Sequence, residues 1–216
     1  MINHQSQIIL QNIYENKINY KITINNQQLG YREWMKLLSY KGLLNDEIMN
    51  SFILILTKKY YGYEYKYLNT YFYTTFCKKF KTLDNIVDIY NKQIGHLLLF
   101  KKIFIPILKD KHWSLLVINS QEFTCHHYCS LHWEGKHLWN DLKNQLLKVC
   151  TEEDNAVLSK MIFLTEHTPL QNNGNDCGVY CSKFIEYVSE NHLFDGQNIY
   201  CHRIDILIKI LMYQPI

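Results

Sequence analysis

The chain of 216 residues is 47% apolar and 14% aromatic, enough to bury a full core and to read as one domain. A formal net charge of +3 makes no electrostatic case for nucleic acid as a partner. The longest apolar runs, Phe52 to Leu56 and Ile103 to Leu108, fall far short of the ~20 residues that a bilayer-spanning helix needs, so no membrane partner is expected.

Met1 to Gln11 lack the basic and long apolar segments of a signal peptide, and the seven cysteines are odd in number and irregular in spacing. Both features fit a reducing compartment. No Pro/Gly/Ser-rich linker and no fixed-period repeat interrupts the chain. The expected organisation is a polar, partly ordered N-terminal extension over residues 1–28 and a single domain over 29–216.

In chain order, Asn45 to Tyr60 opens on an Asn-Asp cap and is apolar on nearly every side, the pattern of a buried helix. Ile103 to Leu108 and Trp113 to Ile118 are short apolar runs split by the polar turn Lys109 to Lys111, which predicts two strands with His112 at the entrance of the second. Phe123 to Tyr128 reads as a third strand. Leu138, Leu142 and Leu146 then fall at helical spacing, and Met161 to Leu164 reads as a fourth strand. After Cys177, Tyr180, Phe184, Tyr187 and Val188 share a helical stripe, as do Ile204, Leu207, Ile208 and Leu211 near the end. Helices flanking a central sheet make an α+β fold.

The segment Gln171-Asn172-Asn173-Gly174-Asn175-Asp176-Cys177-Gly178 carries the chemistry. A thiol attacks acyl carbon as thiolate, and a helix N-terminus with a nearby imidazolium favours that charge. Cys177 opens a predicted helix, His112 supplies a distant imidazole, and Gln171 supplies an amide donor for an oxyanion. Each residue also has a plainer reading. Cys177 resembles a core cysteine like Cys181, His112 is one of ten histidines, Trp113 suits core packing, and Asp46 suits a helix cap. Cys125, His127 and Cys129 share one strand face, but no second pair of metal ligands accompanies them, so no metal or cofactor is expected.

Leu44-Asn45-Asp46-Glu47-Ile48, Leu68 to Tyr73, Ile105-Pro106 with His112-Trp113-Ser114-Leu115-Leu116, and Gln171 to Gly178 occur in this order. Together they resemble the ubiquitin-like-protein-specific cysteine proteases of the Ulp1/SENP type, over about residues 29 to 213. Leu43 stands where that family usually has Trp. The resemblance implies a papain-like cysteine protease fold of the Ulp type, a central mixed sheet flanked by helices, filling residues 29–216. It implies Cys177 as nucleophile, His112 as base, and Gln171 with the Cys177 backbone N–H as the oxyanion site. Trp113 and Asp46 match positions that contact the substrate's Gly-Gly tail in a narrow tunnel, which suits residues without a Cβ.

One position departs from the family pattern. Where the family has an Asp or Asn, the alignment gives Tyr128-Cys129-Ser130, so a thiol replaces the carboxylate. Neutral Cys accepts hydrogen bonds weakly and orients an imidazole poorly, which implies reduced activity; Glu134 or Glu122 on a shifted loop is an alternative orienting group. The resemblance implies a monomeric isopeptidase acting in nucleus or cytoplasm on a ubiquitin-like modifier and its conjugates. SUMO is favoured on family frequency, with NEDD8 and ubiquitin as alternatives. An inactive relative that binds the modifier as a reader is the competing class.

Overall fold

The computed structural model describes residues 21–24, 27–78 and 82–213, with the isolated positions Gln7, Gln11 and Glu15. Apart from those three positions, the first 20 residues of the expected extension lie outside the described residues. Its last part forms an antiparallel hairpin, β1 (Ile22–Ile24) with β2 (Gln27–Leu29), that buries Ile24 and Leu29 in the core.

Helix α1 (Tyr31–Leu38) and helix α2 (Asp46–Lys59) follow. Asn45 caps α2 by accepting the Ile48 N–H at 3.3 Å, while Asp46 is the first helical residue. The cap expected of Asp46 is therefore made by its neighbour, and the Asp46 carboxylate complements the helix dipole instead. Strand β3 (Tyr65–Tyr67), α3 (Phe72–Phe76), α4 (Leu83–Gln93) and a short 3-10 turn at Leu97–Leu99 lead into the sheet.

The sheet is mixed and five-stranded, in the order β3-β4-β5-β6-β7, with β4 (Lys102–Lys109), β5 (His112–Asn119), β6 (Thr124–Tyr128) and β7 (Ile162–Thr165). Strands β4, β5 and β6 run antiparallel, while β3 and β7 are parallel to their neighbours at the two edges. The third strand starts one residue later than its sequence suggests because Phe123 adopts φ +54°, a left-handed conformation that a strand cannot contain.

Two cores cover the two faces. Phe104, Trp113, Leu115 and Val117 pack with α1, α2, α7 (Cys177–Ser189) and α8 (Ile199–Leu211). Ile103, Ile105, Ile107, Leu116, Ile118 and Cys125 pack with α3, α4, α5 (Lys136–Leu146) and α6 (Glu152–Lys160). Every residue of β5 is buried, as expected of a central strand covered on both sides, and the period-2 alternation sends its even and odd residues to opposite cores. His112 begins this strand, next to a turn whose residues Asp110 and Lys111 both have positive φ. Among the described residues, no helix is long and apolar enough to cross a membrane.

Candidate active site

Cys177 is the first residue of α7, a 13-residue helix whose N-terminus lies against β5. The backbone N–H groups of Trp113, Gly178 and Cys177 itself act on its thiol in favour of the thiolate. The Trp113 N–H belongs to the peptide that joins it to His112, so the thiol sits at the root of the His112 side chain. Gly178 makes this approach possible, since a Cβ there would lie 2.7 Å from Leu44 Cβ and 3.2 Å from the Trp113 ring. The Trp113 indole, 3% exposed, donates from Nε1 to the Leu44 carbonyl at 3.1 Å. Asp46, two residues along from Leu44, thus stands near Trp113.

The segment before Cys177 is fixed by a hydrogen-bond chain. Gln171 accepts from Ser130 Oγ at 2.6 Å through Oε1 and donates Nε2 to the Asn173 carbonyl at 2.5 Å. Asn173 donates Nδ2 to Asp176 Oδ2 at 2.6 Å, and Arg203 from α8 donates Nε to Asp176 Oδ1 at 2.8 Å. Asp176 and Arg203 are 3% and 1% exposed, a buried pair that holds a carboxylate directly before the nucleophile without leaving its charge uncompensated.

Cys129 follows the end of β6 and meets His112. Its Sγ lies 3.3 Å from His112 Nε2, with both residues buried. The opposing imidazole contact is aromatic: the Trp133 ring centroid is 4.6 Å from that of His112, with the planes tilted by 50°. Behind the imidazole a cavity of about 50 Å³ is lined by Ser114, His127, Cys129, Trp133, Glu134 and His137 among others. His127 is 1% exposed, and neither of its ring nitrogens has a hydrogen-bond partner. A larger cavity of about 580 Å³ opens between Tyr128, Phe184 and Phe194, and Cys177, His112 and Gln171 do not line it.

Electrostatics follow from burial. Desolvation pushes the Cys177 thiol up, and the carboxylate of Asp176 adds to that, while the three backbone N–H groups oppose it. Desolvation pushes the His112 imidazole down. Both shifts favour the neutral thiol–imidazole pair, so any group that stabilises imidazolium gains weight in this site. Desolvation, with the charges of His137 and His112, takes His127 down to about 4.

The structure therefore links Cys177 with Trp113, His112 with Cys129 and Gln171 with Ser130, the residue after Cys129, while Asp46 opens α2 two residues after Leu44. Glu122 lies at the far end of the β5–β6 hairpin, its N–H bonded to Asn119, whereas Glu134 lines the cavity behind His112. Sequence reasoning missed Ser130, Asn173, Trp133 and Arg203. The first two lie inside quoted motifs, and Arg203 is one of only two arginines in the chain, set in an otherwise apolar stripe. Cys125 and His127 do share one face of β6, with Cys129 just beyond its end, yet among the described residues no group of three His, Cys, Asp or Glu side chains is arranged to hold a metal.

The chain matches the Ulp1 protease family, C-terminal catalytic domain, over residues 43–209. The ubiquitin-like-specific protease ESD4 of Arabidopsis thaliana is 26% identical over 168 residues, covering 73% of this chain and 34% of that protein. Sentrin-specific protease 2 of Homo sapiens is 28% identical over 157 residues, covering 68% of this chain and 26% of that protein. The chain thus spans only a minor part of the length of these curated relatives. Among solved structures, the SUMO protease Ulp1 with its catalytic cysteine oxidised to a sulfenic acid superposes with a TM-score of 0.81 at 20% identity, over 98% of this chain and 94% of that one. The C-terminal Ulp1 protease domain in complex with Smt3, the yeast ortholog of SUMO, gives 0.78 at 20% identity, over 97% and 94%. The solved structures carry the fold; the family match, over most of the chain, carries the kinship: the protein belongs to the Ulp1 protease family of cysteine-type peptidases.

Proposed function

We propose that this protein is a cysteine isopeptidase and endopeptidase that cleaves after the C-terminal Gly-Gly of a ubiquitin-like modifier, SUMO in the first place, in the nucleus or cytoplasm. One observation carries the reading: Cys177 is the first residue of a helix, where the N–H of the His112–Trp113 peptide favours its thiolate, while the Gln171 amide six residues before it is fixed by Ser130 and Asn173. In this reading His112 takes the Cys177 proton as the sulfur attacks the scissile carbonyl carbon. The oxyanion is met by the Cys177 backbone N–H and by the Gln171 Nε2 hydrogen not donated to Asn173. His112 then protonates the leaving amine, and water, deprotonated by the same imidazole, hydrolyses the thioester. Trp113 and Asp46 hold the Gly-Gly tail.

The second reading is a weakened or inactive relative that binds the modifier without turnover, and Cys129 beside His112 Nε2 favours it. The test sets SUMO, NEDD8 and ubiquitin carrying a C-terminal electrophile against the purified chain, with Cys177→Ala as control. A covalent shift with one of them, lost in the control, supports the hydrolase and names the modifier. Binding without a shift supports the reader.

A further inference from the structure

We propose that Trp133 is a positioning residue for His112, its ring supplying part of the orientation and charge stabilisation that a carboxylate at position 129 would have provided. The proposal rests on the reading that Cys177 and His112 form the reactive pair.

His112 is 5% exposed and its ring is held from two sides. On one side Nε2 meets Cys129 Sγ at 3.3 Å, a weak partner in either direction. The Trp133 ring also lies against the imidazole, 4.6 Å away centroid to centroid with the planes tilted by 50°, inside the range over which an aromatic ring attracts a cation. The titratable groups that line the cavity beside this imidazole are His127 from β6, Cys129 just after it, Lys109 and Asp110 at the end of β4 and the turn that follows, Glu134 before α5 and His137 in its first turn. Among the described residues, the hydrogen-bond partner of the ring is Cys129 Sγ.

The chain is shaped to bring Trp133 there. His132 adopts φ +53° and its N–H bonds the Cys129 carbonyl at 3.1 Å, which closes a turn that begins at Cys129. His132 Nε2 also lies 2.6 Å from the Thr168 carbonyl, and Thr168 Oγ1 donates to the Cys129 carbonyl at 2.7 Å, so the turn is pinned to the segment leading to Gln171. Trp133 itself is 49% exposed.

The chemistry fits a site without its carboxylate. When Cys177 passes its proton to His112, a positive charge forms in a place where burial disfavours it. The π face of Trp133 stabilises that charge, and contact with a flat ring narrows the imidazole's rotation. A carboxylate would do both more strongly, so the two devices are alternatives, and their effects are predicted to be non-additive.

Four variants test this in the full chain: Trp133→Leu and Trp133→Phe, each in the native and the Cys129→Asp background. Leu keeps an apolar cover over His112 without a π face, and Phe keeps a weaker one. With the modifier that the electrophile panel identifies, Trp133→Leu is expected to lower kcat about tenfold, the scale of a cation–π contact in a desolvated site, with KM changed less than about twofold. Trp133→Phe restores most of the rate. In the Cys129→Asp background the Leu substitution costs less than about threefold. An NMR titration of the His112 ring, which needs no substrate, is expected to move down by about one pH unit in Trp133→Leu. Equal losses in both backgrounds, a loss confined to KM, or an unmoved titration would overturn the proposal. Absence of turnover with every modifier in every variant would instead sink the hydrolase reading, and the titration alone would then decide for or against Trp133.

Discussion

Replacing Cys129 by Asp is the sharpest perturbation the site offers, since it changes one atom group at a known distance from the base. The Cys129 thiol lies 3.3 Å from His112 Nε2. A carboxylate there makes a charge-assisted hydrogen bond to the imidazolium, and such bonds contribute about 1.5–3 kcal/mol, against almost nothing for a thiol. If that difference appears only once His112 is protonated, it lowers the barrier directly, and kcat/KM rises roughly ten- to a hundredfold.

Burial works against the gain, because Cys129 is 3% exposed and an ionised group there loses its water. The cavity of about 50 Å³ alongside it provides room for the added oxygens. His127, with both ring nitrogens unpartnered on the same cavity, can turn an N–H toward the new carboxylate and offset part of the desolvation. The sign for pH follows: His112 must be neutral to take the thiol proton, and a stabilised imidazolium loses its proton at higher pH, so the acid limb of kcat/KM moves up in the variant. Steady-state kinetics on a fluorogenic modifier, with the thermal melt measured alongside, reads both effects. An unchanged or lower kcat/KM with an unchanged melt would refute the reasoning and shift the orienting role elsewhere, with Glu134 the first residue to examine.

Arg203→Met leaves the Asp176 carboxylate buried without its partner, which costs about 3–5 kcal/mol of stability; a wild-type melt in this variant would sink the ion-pair argument, and adding Asp176→Asn should restore part of the loss. Gly178→Ala forces a Cβ to within 2.7 Å of Leu44 Cβ; overpacking costs about 1–3 kcal/mol, and because Trp113 lies on the same contact, adduct formation at Cys177 should fall together with the melting temperature. His127 goes from an ordinary imidazole in the unfolded chain to about 4 when buried. Below about pH 6.5 the unfolded chain therefore takes up a proton that the folded imidazole refuses. Its stabilisation is complete above that pH and is lost as pH falls toward 4, about 2–3 kcal/mol by pH 4.5. His127→Leu should flatten the acid arm of urea stability between pH 6.5 and 4.5, and an identical slope in both proteins would contradict the burial argument.

Local pattern made the elements around the chemistry legible. The helix predicted over Asn45 to Tyr60 is observed as Asp46–Lys59, the paired strands flank the turn at Lys109 to Lys111, and the stripes after Cys177 and around Leu207 are α7 and α8. Each carries a hydrophobic period that only one local structure satisfies. Phe123 was misassigned because its aromatic side chain suits a strand while its backbone is left-handed, and nothing in a hydrophobic pattern reports φ. The order of the strands also escapes local reading: β7 pairs parallel to β6 only after α5 and α6 have crossed between them, and such pairing is a long-range fact. In the site, Gln171, Cys177 and His112 were visible through motif spacing, whereas Trp133 and Arg203 act through contacts that no spacing encodes. Arg203 lies 27 residues from Asp176 on another helix.

What the site has to overcome is its own burial. Covering Cys177 and His112 pushes the thiol up and the imidazole down, against the charge separation that the proposed attack requires. The helix N-terminus and three N–H groups restore the sulfur's side of that balance. Asp176 still adds to the upward push on the thiol, and its buried pairing with Arg203 compensates the charge of that carboxylate one residue from the sulfur. On the imidazole side position 129 carries no carboxylate, and what the structure offers instead is a weak thiol at 3.3 Å and an indole ring at 4.6 Å, centroid to centroid. The sulfur is thus better provided for than its base. If so, the rate of this protein is limited by imidazolium formation, and substitutions at 129 and 133 should move turnover far more than any that tune the thiol alone.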